Sequence, residues 1–262
     1  MIISSLIKIK EFDAHGGPSA KTMGGDRNEM TPTESGRFVI AKIEKHVSSG
    51  RYLWSGVPWG AGLKFINNVT YIDISNKGLW QKLTVYKPIW LKEYQTEAAV
   101  TKAIIDYWKS IAFAINAGNS IALYGMQIPD RWVFNDFGHI SVKYFRDKNH
   151  NGILDKNESI LGDFIHTTPS NEAVSFYNST RQANQSTFVV DLPGSHGCIH
   201  VKPEDVDTMI GSGYLKKGEA IVVHPYSEKV MPATLKPDRY TKNGYEAHFF
   251  PGLFKIAIYK ST

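Results

Sequence analysis

Alternation of apolar and polar positions is the main pattern along the chain, and it predicts short β-strands. The alternating runs are rich in β-branched and aromatic residues, and Gly, Pro and Asn separate them, as expected for strands joined by turns. We predict strands at residues 6–12, 37–43, 63–66, 69–74, 83–86, 120–124, 138–145, 187–190, 219–224 and 254–259.

Helical spacing of apolar residues is clearest over residues 96–116, and Gly118 follows where a helix commonly ends. A shorter helix is predicted over residues 203–213, because Pro203 and two acidic residues stand at its beginning. Together these patterns predict a mainly β fold with helical insertions, formed by one domain.

Composition narrows the class of protein. The 262 residues are 42% hydrophobic and 21% charged, which is typical of a globular chain. No run approaches the roughly 18 apolar residues of a membrane-spanning helix, so we do not expect an integral membrane protein. The net charge of +5 is scattered and accompanies no nucleic-acid-binding motif, so we expect no nucleic acid partner. The first residues lack a basic region before their short apolar run, which predicts no cleavable secretory signal.

A single cysteine, Cys198, carries the strongest chemical signal. With one cysteine the chain forms no internal disulfide and no cysteine-rich zinc site. A lone cysteine is usually a small buried hydrophobe, but Cys198 stands among Ser195, His196, Gly197 and His200. Because such neighbours stabilise a thiolate and let the backbone approach a substrate, the sequence predicts a cysteine nucleophile.

A second histidine, His166, is the candidate general base, because a predicted strand runs into a loop at that point. The alternative is a core histidine with satisfied hydrogen bonds. His139 is a weaker candidate base, and we assign it to structure or to the lining of the substrate site. A zinc site of His166, His196 and His200 lacks the spacing of known zinc patterns.

Four segments resemble, in order along the chain, the L,D-transpeptidase catalytic-domain family, whose enzymes remodel bacterial peptidoglycan. Residues 195–198 with an upstream histidine are similar to the family's Ser-His-Gly-Cys signature. Residues 31–40 resemble its Thr-Pro-Thr-Gly-x-Phe strand, and residues 164–168 resemble its Ile-His-Gly-Thr segment. Residues 201–209 with 218–224 resemble the helix and strand after the cysteine, so the resemblance spans roughly residues 6–225.

The resemblance implies a role for each matching residue. Cys198 is the nucleophile, His166 is the base, and Thr167 holds the imidazole in orientation. Ser195 supports the loop, and the oxyanion hole is made by the backbone amides of His196, Gly197 and Cys198. Three departures bear on substrate scope: His200 replaces an Arg or Asn, Thr167 replaces a Gly, and a flap at residues 170–185 lengthens the gap after His166. We assign His200 and His139 to substrate binding.

The family's properties extend these expectations to fold and substrate. They imply a β-sandwich-like catalytic domain over residues 1–225, with a helical insertion at 93–118 and a C-terminal extension, 226–262, packed on it. The substrate would be a peptidoglycan stem tetrapeptide, and no organic cofactor would take part. The acceptor stays open among a stem amine, water and a free D-amino acid. The alternative from another class is a non-catalytic wall-binding module of the same fold.

Such a substrate implies action in the bacterial periplasm or cell envelope. Without a predicted signal, export by a dedicated secretion system is one route, as for related toxins that attack a rival's wall. The insertion and the C-terminal extension would then serve a secretion-system carrier or an immunity protein. A housekeeping enzyme is the other reading.

A calcium loop is predicted at residues 147–158, which read Asp-x-Asn-x-Asn-Gly-x5-Glu, the pattern of an EF-hand loop. The residues at its ligand positions are Asp147, Asn149, Asn151, Ile153 (through its carbonyl), Asp155 and Glu158. Asp-Asn-Gly turns also occur without metal. The loop ends shortly before His166, so the bound Ca²⁺ is expected to order the segment that presents this base.

Overall fold

The computed structural model describes residues 4–25, 28–48, 50, 52–116, 119–122 and 127–262, with the backbone alone for residues 112–116 and 119–122. The chain forms two compact units where the sequence predicts one domain. Met1–Glu44, Ser141–His166 and Leu192–Thr262 form the first, here called the sheet unit. Lys45–Ile140 and Thr167–Asp191 form the second, here called the helical unit, which begins well before the predicted insertion at 93–118.

The strands of the described residues are β1 (Leu6–His15), β2 (Thr22–Met23), β3 (Glu29–Met30), β4 (Gly36–Glu44), β5 (Gly62–Ile66), β6 (Val69–Asp73), β7 (Gln81–Lys82), β8 (Phe113–Asn116), β9 (Asn119–Ala122), β10 (Ser141–Phe145), β11 (Ile160–His166), β12 (Ile199–Val201), β13 (Ala220–Val223), β14 (Thr234–Leu235), β15 (Tyr245–Phe250) and β16 (Lys255–Ser261). The helices are α1 (Leu83–Tyr86), α2 (Ile89–Tyr94), α3 (Glu97–Ala112), α4 (Pro169–Thr180) and α5 (Pro203–Gly211). Single 3₁₀ turns form at Trp54–Gly56 and Pro251–Leu253.

The sheet unit is built on one sheet that closes on itself. Its strand order is β12-β11-β10-β4-β13-β15-β16-β1-β14, and β12 also pairs with β1. The closing pair is antiparallel and joins His15 to His200, whereas β12 runs parallel to β11. Closure gives the edge strand β12 a partner on each side, which removes unpaired backbone groups from that edge.

The C-terminal residues are part of this sheet. β15 pairs with β13, and β16 lies between β15 and β1. Their apolar residues are buried, among them Phe249, Ile256 and Ile258. The region predicted as an extension therefore supplies two strands in the interior of the sheet.

The helical unit has its own apolar core. Trp54, Trp90 and Trp132 lie against one another, with ring centroids 5.0 Å apart for Trp54 and Trp90 and 5.9 Å apart for Trp90 and Trp132. α3 adds Ile104 and Trp108 to this core, in keeping with the helical spacing in the sequence. Thr168 begins α4 by accepting a hydrogen bond from the Asn171 backbone, with Pro169 in the first turn.

With 29% strand and 22% helix, the protein is mixed, and only its large sheet matches the mainly β prediction. Residues 83–86 form helix α1, because burial of Leu83 in the helical unit overrides the strand preference of this short run. Residues 187–190 form no strand: Asn178 of α4 bonds both the N–H and the carbonyl of Phe188 and takes the place of a strand partner. The predicted helix ends at Ala112, and Gly118 and residues 123–124 lie outside the described residues.

Within the described ranges, no helix combines the length and the apolar character that crossing a bilayer requires.

Candidate active site

The closure of the sheet brings Cys198 and three histidines together. Cys198 immediately precedes β12, and His200 on that strand lies opposite His166 of β11 and His15 of β1. The rings of His166 and His200 meet edge to face, with centroids 4.7 Å apart. Cys198 stands in the bend just before β12, and its thiol is hydrogen-bonded by the backbone of Phe164. Phe164 stands on β11 two residues before His166, so the thiol lies beside the strand that ends at this histidine.

The turn before β12 is held by hydrogen bonds within the turn and by one from Thr31. The Ser195 hydroxyl donates to the Cys198 carbonyl and accepts from the Gly197 N–H at 3.1 Å. The carbonyl of His196 accepts from the Thr31 hydroxyl at 3.0 Å. These bonds fix the backbone that carries the thiol. They join residues of two segments identified in the sequence, 31–40 and 195–198.

Gly197 is required by its backbone conformation and by its neighbours. Its φ is +137°, and a Cβ at this position would lie 2.6 Å from Oδ1 of Asp163. Because the Gly197 N–H already donates to Ser195, it is engaged inside the turn. Donation by Gly197 to an oxyanion would require exchange of this bond, and the amides of His196 and Cys198 stay the other predicted donors from this turn.

The surroundings of Cys198 disfavour its thiolate. Burial raises the pKa of this half-buried thiol to about 12, and the Asp163 carboxylate acts in the same direction, against the backbone hydrogen bond with Phe164. Burial and the nearby Glu34 raise the pKa of Asp163 itself. At neutral pH the free thiol is therefore protonated, and an attack by sulfur requires a base at the moment of reaction.

His200 is one of the three histidines that the closed sheet brings together. Its side chain is buried, and Nδ1 donates to the Pro193 carbonyl at 2.7 Å, because a carbonyl oxygen only accepts. Burial lowers the pKa of His200 to about 4, so the ring is neutral at pH 7. It lies against the His166 ring, and its role in substrate binding stays a prediction.

His15 is a site residue that the sequence analysis missed. Its Nδ1 donates to the Leu192 carbonyl at 2.6 Å, and its ring meets Phe254 edge to face. The neighbouring Gly17 packs so closely that a Cβ would collide with the Thr31 carbonyl and lie 3.3 Å from Cα of Gly197. The only local signal is the pair of glycines after His15, because the contact joins residues far apart in the chain.

Thr167 and His139 belong to the helical unit and share one partner there. The Thr167 hydroxyl donates to Oε1 of Glu172. His139 contacts the same oxygen through Nδ1 at 2.5 Å and through its backbone N–H at 3.1 Å. The Thr167 hydroxyl thus donates to Glu172. The predicted role of Thr167, orientation of the base histidine, did not include this partner.

The predicted calcium loop is folded by its own side chains. Asp147 is buried and accepts from the N–H of Gly152 at 2.6 Å, where φ is +79°. Asn151 accepts from the Ile153 N–H at 2.7 Å. The two Glu158 oxygens accept from the N–H groups of Lys148 and Asp155, at 2.7 and 3.1 Å.

The oxygen atoms at the ligand positions of this loop match the coordination chemistry of calcium. They are carboxylate and amide oxygens, which Ca²⁺ prefers, and the turn at Gly152 folds the chain around them. Across the described ranges, no three His, Cys, Asp or Glu side chains are gathered as metal ligands. The Asp155 carboxylate accepts from the side-chain amides of Asn149 and Asn151, at 2.6 and 3.0 Å. Binding would exchange these internal bonds for bonds to the ion.

Comparison with protein-family models, with curated proteins and with solved structures gives no match for this chain.

Proposed function

We propose that the protein is a peptidoglycan-modifying cysteine acyltransferase of the L,D-transpeptidase type. One observation carries the proposal: the thiol of Cys198, on a Ser-His-Gly-Cys turn, is hydrogen-bonded by the backbone of Phe164, which lies on β11 two residues before His166. Nucleophile and base on adjacent rigid elements are the arrangement that acyl transfer by a thiol requires. The order of the sequence segments supports a stem tetrapeptide as the acyl donor.

In the proposed first half-reaction, His166 takes the proton from Cys198 as sulfur attacks the carbonyl carbon of the donor's third residue. The oxyanion accepts hydrogen bonds from the backbone amides of His196 and Cys198. The C–N bond to the terminal D-alanine then breaks, and the imidazolium of His166 returns the proton to the leaving amine. A thioester on Cys198 remains.

The second half-reaction decides the product. An amine of another stem peptide, water or a free D-amino acid gives its proton to His166 and attacks the thioester carbonyl. The C–S bond breaks, and the thiolate recovers the proton from His166. The products are a crosslink, a shortened stem or an exchanged stem, respectively.

The calcium loop belongs to the same proposal. Asp147, Asn149, Asn151, Asp155 and Glu158 would hold Ca²⁺ by their side chains, and Ile153 would do so by its carbonyl. The ion would supply charge neutralisation and rigidity, with no chemical step of its own. β11 begins two residues after Glu158, so ordering of the loop would steady the strand that carries His166.

The test is incubation with purified muropeptide tetrapeptides and Ca²⁺, followed by mass spectrometry. We expect loss of D-alanine or a new crosslinked dimer with the native chain, and no product with Cys198→Ala or His166→Ala. Lys236→Ala is the control, because it removes an exposed side chain of the same unit outside the turn of Cys198 and outside the calcium loop. Unchanged muropeptides with the native chain, or binding to the wall without turnover, would contradict the proposal and favour a wall-binding module.

A further inference from the structure

A concave site lies in the helical unit. It is a cavity of about 450 Å³, bounded by Trp59, Val133 and Phe176 on its apolar side and by Arg131, Asp130 and Glu172 on its polar side. Small-molecule sites typically measure about 300–1,000 Å³ and combine apolar walls with a few placed polar groups. None of the residues predicted from the sequence to act in acyl transfer lines this cavity.

Glu172 is held rigidly at the cavity wall. It stands in the first turn of α4 with its side chain 11% exposed. Oε1 is the acceptor for the Thr167 hydroxyl, the His139 N–H and the His139 ring. None of these three donors belongs to a lysine or an arginine, and His139 forms an ion pair with Glu172 only when its ring is protonated. Oε2 takes none of these bonds.

The other two charged groups at the cavity compensate each other. Nε of Arg131 lies 3.4 Å from Oδ1 of Asp130, and both side chains are exposed. Glu172 is therefore the largely buried acidic group of a cavity whose walls are otherwise aromatic and aliphatic. A complementary ligand carries one positive charge on an apolar chain, because an ammonium donates to a carboxylate and is attracted to aromatic rings.

We propose that this cavity binds a primary alkylammonium group, with Oε2 of Glu172 as its hydrogen-bond acceptor and Trp59 and Phe176 against its alkyl chain. The cavity volume leaves room for the molecule that carries the group. Two sources share this chemistry: a free diamine, and the side chain of a lysine-like diamino acid. The inference is independent of the acyl transfer proposed for Cys198.

Calorimetric titration of the full chain separates these possibilities. The probes are cadaverine for the free diamine, L-lysine for the amino acid side chain, and Nε-acetyl-L-lysine, which keeps the alkyl chain and lacks the side-chain charge. We expect an amine to bind and the acetylated probe to bind at least about tenfold more weakly, as loss of a charge-assisted hydrogen bond predicts. Tighter binding of cadaverine would identify the diamine as the source, and tighter binding of lysine the amino acid.

Variants assign the binding to the cavity. Glu172→Gln keeps an acceptor for Thr167 and His139 and removes the charge, so the affinity for the better amine should fall about tenfold. Phe176→Leu removes the flat ring and part of the apolar area that contacts the alkyl chain, and should weaken binding several-fold. Glu93→Gln, an exposed carboxylate of α2, is the matched control and should bind as the native chain does. Cys198→Ala should also retain binding.

Three results would overturn the proposal. These are equal affinity for lysine and its acetylated form, native affinity in both cavity variants, and no binding of either amine. If Glu172→Gln fails to fold by circular dichroism, the acetylated probe and Phe176→Leu still decide the outcome.

Discussion

The environment of the Cys198 thiol sets the order of events in any reaction at this site. Burial and Asp163 hold the pKa of the thiol near 12, and His200 beside the site is neutral at pH 7 because its pKa is about 4. No stable thiolate is therefore present before a substrate arrives. In the acyl transfer proposed above, the proton would therefore leave sulfur as the bond to carbon forms, and the base would be the source of reactivity.

Alkylation of the single cysteine tests the raised pKa of its thiol. Iodoacetamide should modify Cys198 slowly at neutral pH, with a rate that climbs about tenfold per pH unit and no plateau up to about pH 10, because only the thiolate reacts. Asp163→Asn removes a charge that raises the thiol pKa, so its profile should shift to lower pH. Glu11→Gln, an exposed change on β1, should leave the profile in place. A plateau near neutral pH in the native protein would contradict the high pKa.

Charged side chains join the strands of the sheet unit across β13. Arg37 of β4 binds the Glu246 carboxylate of β15 at two positions, 3.0 and 2.7 Å, and His248 contacts the same carboxylate at 3.1 Å. Burial opposes ionisation of Glu246, but the bonds from His248 and Arg37 outweigh it and lower the pKa of this carboxyl to about 2. The group is therefore a buried, satisfied anion between strands that do not pair with each other.

Removal of the guanidinium leaves this anion buried without its main partner. Arg37→Ala should lower the free energy of unfolding, measured with urea, by about 3 kcal/mol. The matched control, Lys21→Ala, breaks an exposed pair with Glu29 and should cost less than about 1 kcal/mol. Equal effects of the two changes would show that the network across β13 contributes no more than a surface ion pair.

The pH dependence of stability has a definite sign for this network. Because the folded pKa of Glu246 is about 2, below its ordinary value of 4.5, its contribution is full above about pH 4.5. It is lost as the pH falls from about 4.5 towards 2. Thermal denaturation should show a steeper fall of Tm over this range for the native chain than for Glu246→Gln. Parallel Tm curves for the two proteins would contradict the lowered pKa.

The proposed calcium site predicts an effect of Ca²⁺ on thermal stability. Ca²⁺ should raise the Tm of the native chain, because an ion that binds only the folded state stabilises it by about 2.7 kcal/mol at a hundredfold excess over Kd. Glu158→Gln should abolish this shift, whereas Lys156→Gln, a loop position without a ligand role, should keep it. A native Tm that is insensitive to both Ca²⁺ and chelator would rule out a folding role for the ion.

At the scale of the whole molecule, the proposed substrate implies the compartment in which the protein acts. Peptidoglycan lies outside the cytoplasmic membrane, so expression in bacteria should slow growth or cause lysis when the chain is directed to the periplasm, and not when it stays in the cytoplasm. Cys198→Ala should remove the effect. If cells that export the native chain to the periplasm grow as well as cells that export Cys198→Ala, the result would argue against a toxin and for a housekeeping role or another substrate.

Local pattern was sufficient for several elements of this fold. The alternation at residues 37–43 and the helical spacing from residue 96 correspond to β4 and α3, because side-chain periodicity follows the backbone geometry of the element itself. The Ser-His-Gly-Cys turn was likewise visible in sequence, since its bonds join residues within four positions. The run at 83–86 shows the limit: its composition favours a strand, and packing made it a helix.

What the sequence by itself determined is thus several short-range elements, β4 and α3 among them. It raised the chemistry of Cys198, His166 and the calcium loop as hypotheses. Only the tertiary structure decided the division into two units, the pairing of β1 with β12 that brings in His15, and the burial of His200. The reason is physical. Strand partners, burial and pKa depend on groups far away in the chain, and no window of sequence contains both members of such a pair.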